Sequence, residues 1–348
     1  MSSPLGTIVA FIVVLGVLIF VHELGHFSVA KFFKVRVFEF AMGFPPRLFS
    51  YTRNGTVYSL NALPLGGFVR MMGENGGDAD NPESFGYKPW WQRALILIAG
   101  PAMNLGLALF LFFISAAWLG APVGTNVVSN TAPNSPARAV GLRNGDRIIA
   151  VDGQRTTTLT AIHDDTQKHL GHPVTLTFVR NGQIHSVVVV PRRHHPVTQG
   201  AVGVTMGLRE QRYPIGVAIQ KSFQGVGAMI MAIPNLIQSI GQHGTQNISG
   251  PVGIARDTGQ AAGNIPQYGL GQFLAFVALL SANLGVLNLL PIPALDGGRL
   301  VFVLVSGVRR RNLSPEVEGM IHLAGMAALV LLMILISYQD ILHWASGQ

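Results

Sequence analysis

Val17-Leu18-Ile19-Phe20-Val21-His22-Glu23-Leu24-Gly25-His26-Phe27 decides the reading, because it sets three ionisable side chains at the end of an otherwise apolar run. No charge occurs from Leu5 to Val21, and apolar character resumes from Phe27 to Phe33. If this run is one helix, the three side chains lie within or just under hydrocarbon, where an ionisable group is costly and marks function. Residues four apart share one helical face, so His22 and His26 can bind a single metal ion. Glu23 is rotated away from the pair and can reach a water beside the metal, while Gly25 leaves room. A chance motif on a solvated face conflicts with the apolar surroundings.

Composition agrees with a membrane setting. The chain has 348 residues, room for two or three structural units, with 49% hydrophobic and only 11% charged residues, well below the charged share of soluble proteins. With no cysteine in the sequence, histidine and carboxylate are the available ligands, and redox compartment is not reported. The net charge of +8 is spread over loops flanking apolar runs and over the middle of the chain. It lacks the aromatic interleaving of a single-strand groove, so nucleic acid is excluded as a partner. Met1-Ser2-Ser3-Pro4 has no basic segment and no cleavage site follows the apolar run, so it does not read as a signal peptide.

The first span, Leu5 to Phe33, is followed by Lys34, Arg36, Arg47, Arg53, Arg70, Lys88 and Arg93, which puts this loop on the cytoplasmic side and the N-terminus outside. Within it Val35–Phe40 and Thr56–Leu63 are strand-like. They are punctuated by Gly43-Phe44-Pro45-Pro46, Asn54-Gly55 and Pro64-Leu65-Gly66-Gly67, which predicts a hairpin. Its apolar residues suggest that it dips into the membrane beside the metal. Gly73–Ser84 reads as a flexible turn. The second span runs from Ala94 to Leu119 behind Trp90-Trp91 and is interrupted by Gly100-Pro101 and Asn104, the latter expected to hydrogen-bond across the bundle.

From Ala121 to Leu208 the pattern is that of a soluble α/β domain, with strands at Val174–Val179, Ser186–Val190 and Ala201–Thr205 and a helix near Leu159–Leu170. His163, His169, His172, His185, His194 and His195 lack metal-ligand spacing there and are read as solvated or structural. Pro214–Gln242 is apolar but carries Lys221, glutamines and Pro234. A third span, Phe273–Leu290, leads through Pro291-Ile292-Pro293-Ala294-Leu295 to Asp296-Gly297-Gly298. Two histidines still need a third protein ligand, and Asp296 is the strong candidate. It returns to the face where the first span ended only if Pro214–Gln242 does not cross, so that segment is read as an interfacial amphipathic helix. Arg299 and Arg309-Arg310-Arg311 fit a cytoplasmic loop, and a fourth span, Met320–Ile336, leads outward again.

These motifs together resemble the site-2 protease family of intramembrane zinc metalloproteases, in particular the bacterial regulator-of-sigma-E group. The resemblance rests on His22 to His26, the Pro64 to Gly67 region, Ser249-Gly250-Pro251-Val252-Gly253, Asn288 through Gly297, and a middle segment, Ser135-Pro136-Ala137 to Gly153, that resembles a PDZ domain. It implies that His22, His26 and Asp296 hold Zn2+ and that Glu23 is the general base. It also implies that Asn283 and Asn288 hold the substrate or oxyanion, and that the hairpin with Gly66 and Gly67 presents an edge to unwound substrate, either Thr56–Leu63 or Gly66–Met71. The substrates implied are pre-trimmed single-span proteins of the lipid bilayer, anti-sigma factors or signal peptide remnants.

The expected fold is a polytopic α-helical membrane protein with four transmembrane helices, a membrane-associated β-hairpin loop and an inserted α/β PDZ-like domain, placed in the bacterial cytoplasmic (inner) membrane. Its segments are 1–34, first helix with zinc motif; 35–92, hairpin loop; 93–119, second helix; 120–208, PDZ-like domain; 209–269, interfacial linker; 270–298, third helix with the aspartate; 299–318, cytoplasmic loop; and 319–348, fourth helix and tail. Two other readings compete. A non-catalytic scaffold would bind partners through the PDZ-like groove, but would have no use for Glu23. A metal transporter would line its spans with further ionisable residues, whereas the second and fourth spans carry no Asp, Glu, Lys or Arg.

Overall fold

The computed structural model describes residues 3–74, 78, 80–156, 158–194, 199–243, 250–309 and 314–345. His195, Ser249, Arg310 and Arg311 lie outside the described residues, as does part of the Gly73–Ser84 turn. The chain forms two compact units, one of Met1–Leu119 with Arg212–Leu342, the other built on Gly120–Gln211.

In the first unit, helix α1 spans Pro4–Phe32; Ser3 caps it by accepting the Gly6 N–H at 3.1 Å, and Pro4 supplies a preset φ at the first position. Helix α2, Trp90–Ile114, continues as a π-turn over Ser115–Leu119. Pro101 and Asn104 lie inside α2 and do not interrupt it. After α2 comes the second unit, and the first resumes with α5 (Ile215–His243), α6 (Pro251–Gly263), α7 (Ile265–Leu289), α8 (Asp296–Arg309) and α9 (Pro315–Ala345). Helix α7 begins earlier than the apolar run suggests, because a short leading turn joins it across a kink at Gly269, whose φ of +76° only glycine adopts freely.

Four of the described helices are long and apolar enough to cross a membrane: Pro4–Phe32, Trp90–Leu119, Ile265–Leu289 and Glu316–Leu342. Helix α5 is not among them. Leu5 on α1 and Leu323 on α9 are exposed, as side chains facing lipid are. The linker expected over 209–269 holds two helices, and Gly259 of α6 lies against Thr7 of α1.

Two long strands, β1 (Val37–Arg53) and β2 (Thr56–Met71), form the hairpin. Each bends, so that they pair twice: Glu39 faces both Arg70 and Val57, and Ala41 faces both Phe68 and Ser59. Val57 to Asn61 is also paired with Arg47 to Thr52. The Thr56–Asn61 part of β2 is therefore interior, and the edge expected at Thr56–Leu63 is already filled. Gly67–Met71 pairs, among the described residues, with one segment only, Val37–Met42. Val35, Val37, Phe40, Val69 and Met71 pack with Ala30 of α1 and Ile96 and Leu97 of α2, which fixes the hairpin beside both helices. Inside it Glu39, 5% exposed, accepts from Ser59 Oγ at 2.8 Å and pairs with Arg47 and Arg70.

The second unit is a sheet ordered β7-β6-β4-β3-β8, where β3 is Ala121–Thr131, β4 Arg147–Val151, β6 Val174–Arg180, β7 Gln183–Val189 and β8 Val204–Gln211; the short β5, Gln154–Arg155, pairs with β4. Helices α3 (Pro136–Ala139) and α4 (Leu159–Lys168) complete it. The run Ala201–Thr205 is mostly approach to β8, because Gly203 takes a left-handed φ of +76°.

Asp146, buried at the start of β4, takes Arg180 Nε and Nη2 at 2.7 Å each and the Arg143 N–H at 2.7 Å. Burial alone would push this carboxyl up. The Arg180 guanidinium and the Arg143 amide outweigh burial and hold it below the usual carboxylate range. A depressed folded pKa gives stability that is complete above the unfolded carboxylate value and lost as pH falls through the folded one. Unfolding of this unit should thus become easier below about pH 4, and Asp146→Asn should flatten that acid limb, measured as melting temperature against pH.

Candidate metal centre

Helix α1 presents His22 and His26 on one buried face, and both ring Nε2 atoms turn toward Asp296 at the start of α8. His22 Nε2 lies 3.0 Å and His26 Nε2 3.2 Å from Asp296 Oδ2, and the two nitrogens are 3.2 Å apart. Asp296 Oδ2 is buried and, despite these distances, has no hydrogen bond of acceptable geometry. Three donor atoms therefore converge, the two ring nitrogens in mutual hydrogen-bond contact and the carboxylate oxygen without a partner. A tetrahedral ion held at about 2.0 Å by nitrogen and oxygen sets its ligand atoms about 3.3 Å apart. The donor set and its spacing thus fit zinc bound by two imidazoles and a carboxylate, with a fourth position left over. Among the described residues this is the one group of three histidine or acidic side chains close enough to hold an ion.

Each donor is held from behind. His26 Nδ1 donates to the Ile96 carbonyl of α2 at 2.8 Å, since a carbonyl can only accept, and this leaves Nε2 with its lone pair free for a metal ion. The ring lies so close over Gly100 that any Cβ there would overlap His26 Nε2. His22 Nδ1 faces the side chain of Asn104, also on α2, at 3.3 Å. Asp296 follows Ala294, whose φ of +81° is left-handed and whose N–H donates to His322 Nδ1 on α9 at 3.1 Å. Three residues on, Arg299 is ion-paired with Glu74 at the end of the hairpin. The third donor is thereby tied both to α9 and to the hairpin.

Glu23 is partly buried and shares the electrostatic surroundings of His22, His26, Asp296 and Glu74. Gly67 of β2 packs over it: an added Cβ would come within 2.9 Å of Glu23 Cγ and of Ile19 Cγ2. Gly66 lies instead against the Phe44 ring. The two asparagines expected to hold substrate make no hydrogen-bond contact with the three donors. Asn288 Nδ2 donates back to the Leu284 carbonyl at 3.0 Å, and Asn283 is exposed, its side chain without a hydrogen bond to the described residues. Asn104, Glu74, Arg299 and His322 make the contacts behind the donors, and their partners lie too far away along the chain for periodicity to reveal them.

A carboxylate beside two histidines and an aspartate that could hold one metal ion, set among membrane-length helices, is the arrangement a membrane-embedded metal-dependent hydrolase would need. Residues 10–332 match Peptidase family M50. The zinc metalloprotease RasP of Geobacillus kaustophilus is 32% identical over 422 aligned positions, covering 98% of this chain and 99% of the relative. RasP of Shouchella clausii is 32% identical over 426, covering 97% and 99%. The chain belongs to peptidase family M50.

Proposed function

We propose that the protein is an intramembrane zinc metalloprotease in which His22, His26 and Asp296 hold the ion and Glu23 is the general base. The observation that carries this reading is the convergence of the three donor atoms at 3.0–3.2 Å beside Glu23. Zinc, when bound, supplies a Lewis acid that activates water and polarises the peptide carbonyl. Glu23 takes the proton of the attacking water on its carboxylate and returns it to the leaving amine. Retention of that carboxylate also speaks against a scaffold with a purely structural ion.

The substrate class follows from the setting. A transmembrane helix shields its own carbonyls by hydrogen bonding, so its scissile region must first become extended. The Gly66–Met71 edge lies against Glu23 and has backbone groups available to pair with an extended strand. Single-span membrane proteins already trimmed on the outer side, such as anti-sigma factors or signal peptide remnants, are the substrates we assign. Asn283 and Asn288 would take part only after turning toward an entering chain. The hairpin and site face the cytoplasm of the bacterial inner membrane, both termini face outward, and α5 lies at the interface.

The unit on Gly120–Gln211 is, in this proposal, PDZ-like. A cleft of about 560 Å³ runs between α4 and the entry to β8, lined by Leu159, Ile162, His163, Thr166, Val204 and Met206. It would gate access or capture a peptide end.

The test is cleavage of a single-span substrate by the purified protein in detergent, with and without the substrate's outer portion, and mass spectrometry of the products. Stripping the metal with a chelator should abolish cleavage and added zinc restore it, with the cut in or near the span. Cleavage unaffected by metal removal from a protein verified to be zinc-free would reject the reading.

A further inference from the structure

Asn104 is wholly buried in α2, its backbone carbonyl accepting from Ser281 Oγ of α7 at 2.8 Å, and its side-chain Oδ1 is buried without a donor. Its Nδ2 stands 3.3 Å from His22 Nδ1. In that orientation Nδ1 would have to accept, the ring proton would move to Nε2, and Nε2 is the atom that faces Asp296 and His26. A ring protonated there cannot ligate. The two ends of an amide are alike in shape, so a half-turn exchanges them at little steric cost. It brings the unpaired Oδ1 onto His22 Nδ1–H. The second histidine supplies the precedent within the same site, because His26 Nδ1 faces a carbonyl oxygen and so takes this tautomer.

We propose that Asn104 is a positioning residue that accepts the Nδ1–H of His22 through its side-chain carbonyl, fixing the tautomer whose Nε2 lone pair faces the ion. This rests on His22 being a metal ligand. Helix α2 then sets both ligand rings, through the Ile96 carbonyl for His26 and the Asn104 side chain for His22. The chemical requirement at position 104 is an acceptor and not an amide. An aspartate fulfils it, and a leucine of similar volume does not.

The experiment measures zinc affinity by chelator competition on the full-length protein in detergent for wild type, Asn104→Asp, Asn104→Leu and His22→Ala. Loss of an outer partner of a ligand histidine lowers metal affinity by about 10- to 100-fold. Asn104→Leu should fall by that factor, Asn104→Asp should bind zinc at least as tightly as wild type, and His22→Ala should bind far more weakly than any of them. Nitrogen-15 spectra of histidine-labelled, zinc-loaded wild type need no variant at position 104, and should show the His22 proton on Nδ1. If Asn104→Leu binds like wild type while His22→Ala does not, the positioning role is wrong and the metal site stands. If His22→Ala also binds like wild type, both fall. A proton on Nε2, or Asn104→Asp weakened as much as Asn104→Leu, likewise overturns the proposal.

Discussion

Glu23→Gln should keep about one zinc per chain and lower cleavage of a single-span substrate by roughly 10²- to 10⁴-fold, the contribution of a positioned general base. The substitution changes one oxygen to nitrogen and removes the negative charge without altering the side chain's length. It therefore leaves the close packing with Gly67 and Ile19 intact. The three donor atoms at 3.0–3.2 Å are untouched, so the metal should stay. What disappears is the group that accepts the proton of the attacking water. His26→Ala, by contrast, removes a donor and should lose metal and cleavage together. The informative comparison is thus zinc content against rate in the two variants. Glu23→Gln with zinc bound and wild-type rate would show that proton transfer is handled by another group, and the hydrolytic mechanism would need a different base.

The histidine pair on one face of α1 was legible because helical spacing is a local property: His22 and His26 are one turn apart whatever the rest of the chain does. Asp296 was singled out as a carboxylate at the end of an apolar span, and its nearness to the histidines required a global argument, that Pro214–Gln242 does not cross. No such argument exists for what lies behind these side chains. The Asn104 and Ile96 contacts depend on the rotation of α2 about its own axis, which an all-round apolar helix does not encode in its pattern. The hairpin was readable from Asn54-Gly55, but its strands bend and pair twice. An alternation pattern cannot tell an interior segment such as Thr56–Asn61 from an edge such as Gly67–Met71 when both are half apolar. Strand β3 escaped for a related reason. Ala121–Thr131 contains Pro122, Gly124 and two asparagines, and its place in the sheet comes from pairing with β8 some eighty residues later.

Gly100→Ala should disable the protein, although a methyl group inside a helix ordinarily helps. Alanine is favoured over glycine in helices by about 1 kcal/mol, and at Gly106 of the same helix, where an added Cβ meets nothing within 4 Å, the substitution should be neutral or stabilising. At Gly100 the added carbon would overlap His26 Nε2 and stand 2.7 Å from both Cδ2 and Cε1, so it presses on the ring itself and not on one flexible end. The ring cannot tilt away freely, because Nδ1 is bonded to the Ile96 carbonyl one turn earlier on the same helix. Relief therefore means breaking that bond or pushing α2 off α1, an overpacking cost of about 1–3 kcal/mol that cancels or exceeds the helix gain. The functional loss should be larger than the loss of stability. Moving the ring displaces the very atom that faces the metal, and misplacing a reacting group by about 1 Å can lower a rate by some 10²-fold. Zinc affinity and cleavage should fall together in Gly100→Ala while both stay near wild type in Gly106→Ala. Wild-type zinc binding and rate in Gly100→Ala would mean that His26 is not held against α2 in the working enzyme, and that α1 can shift to open the crossing.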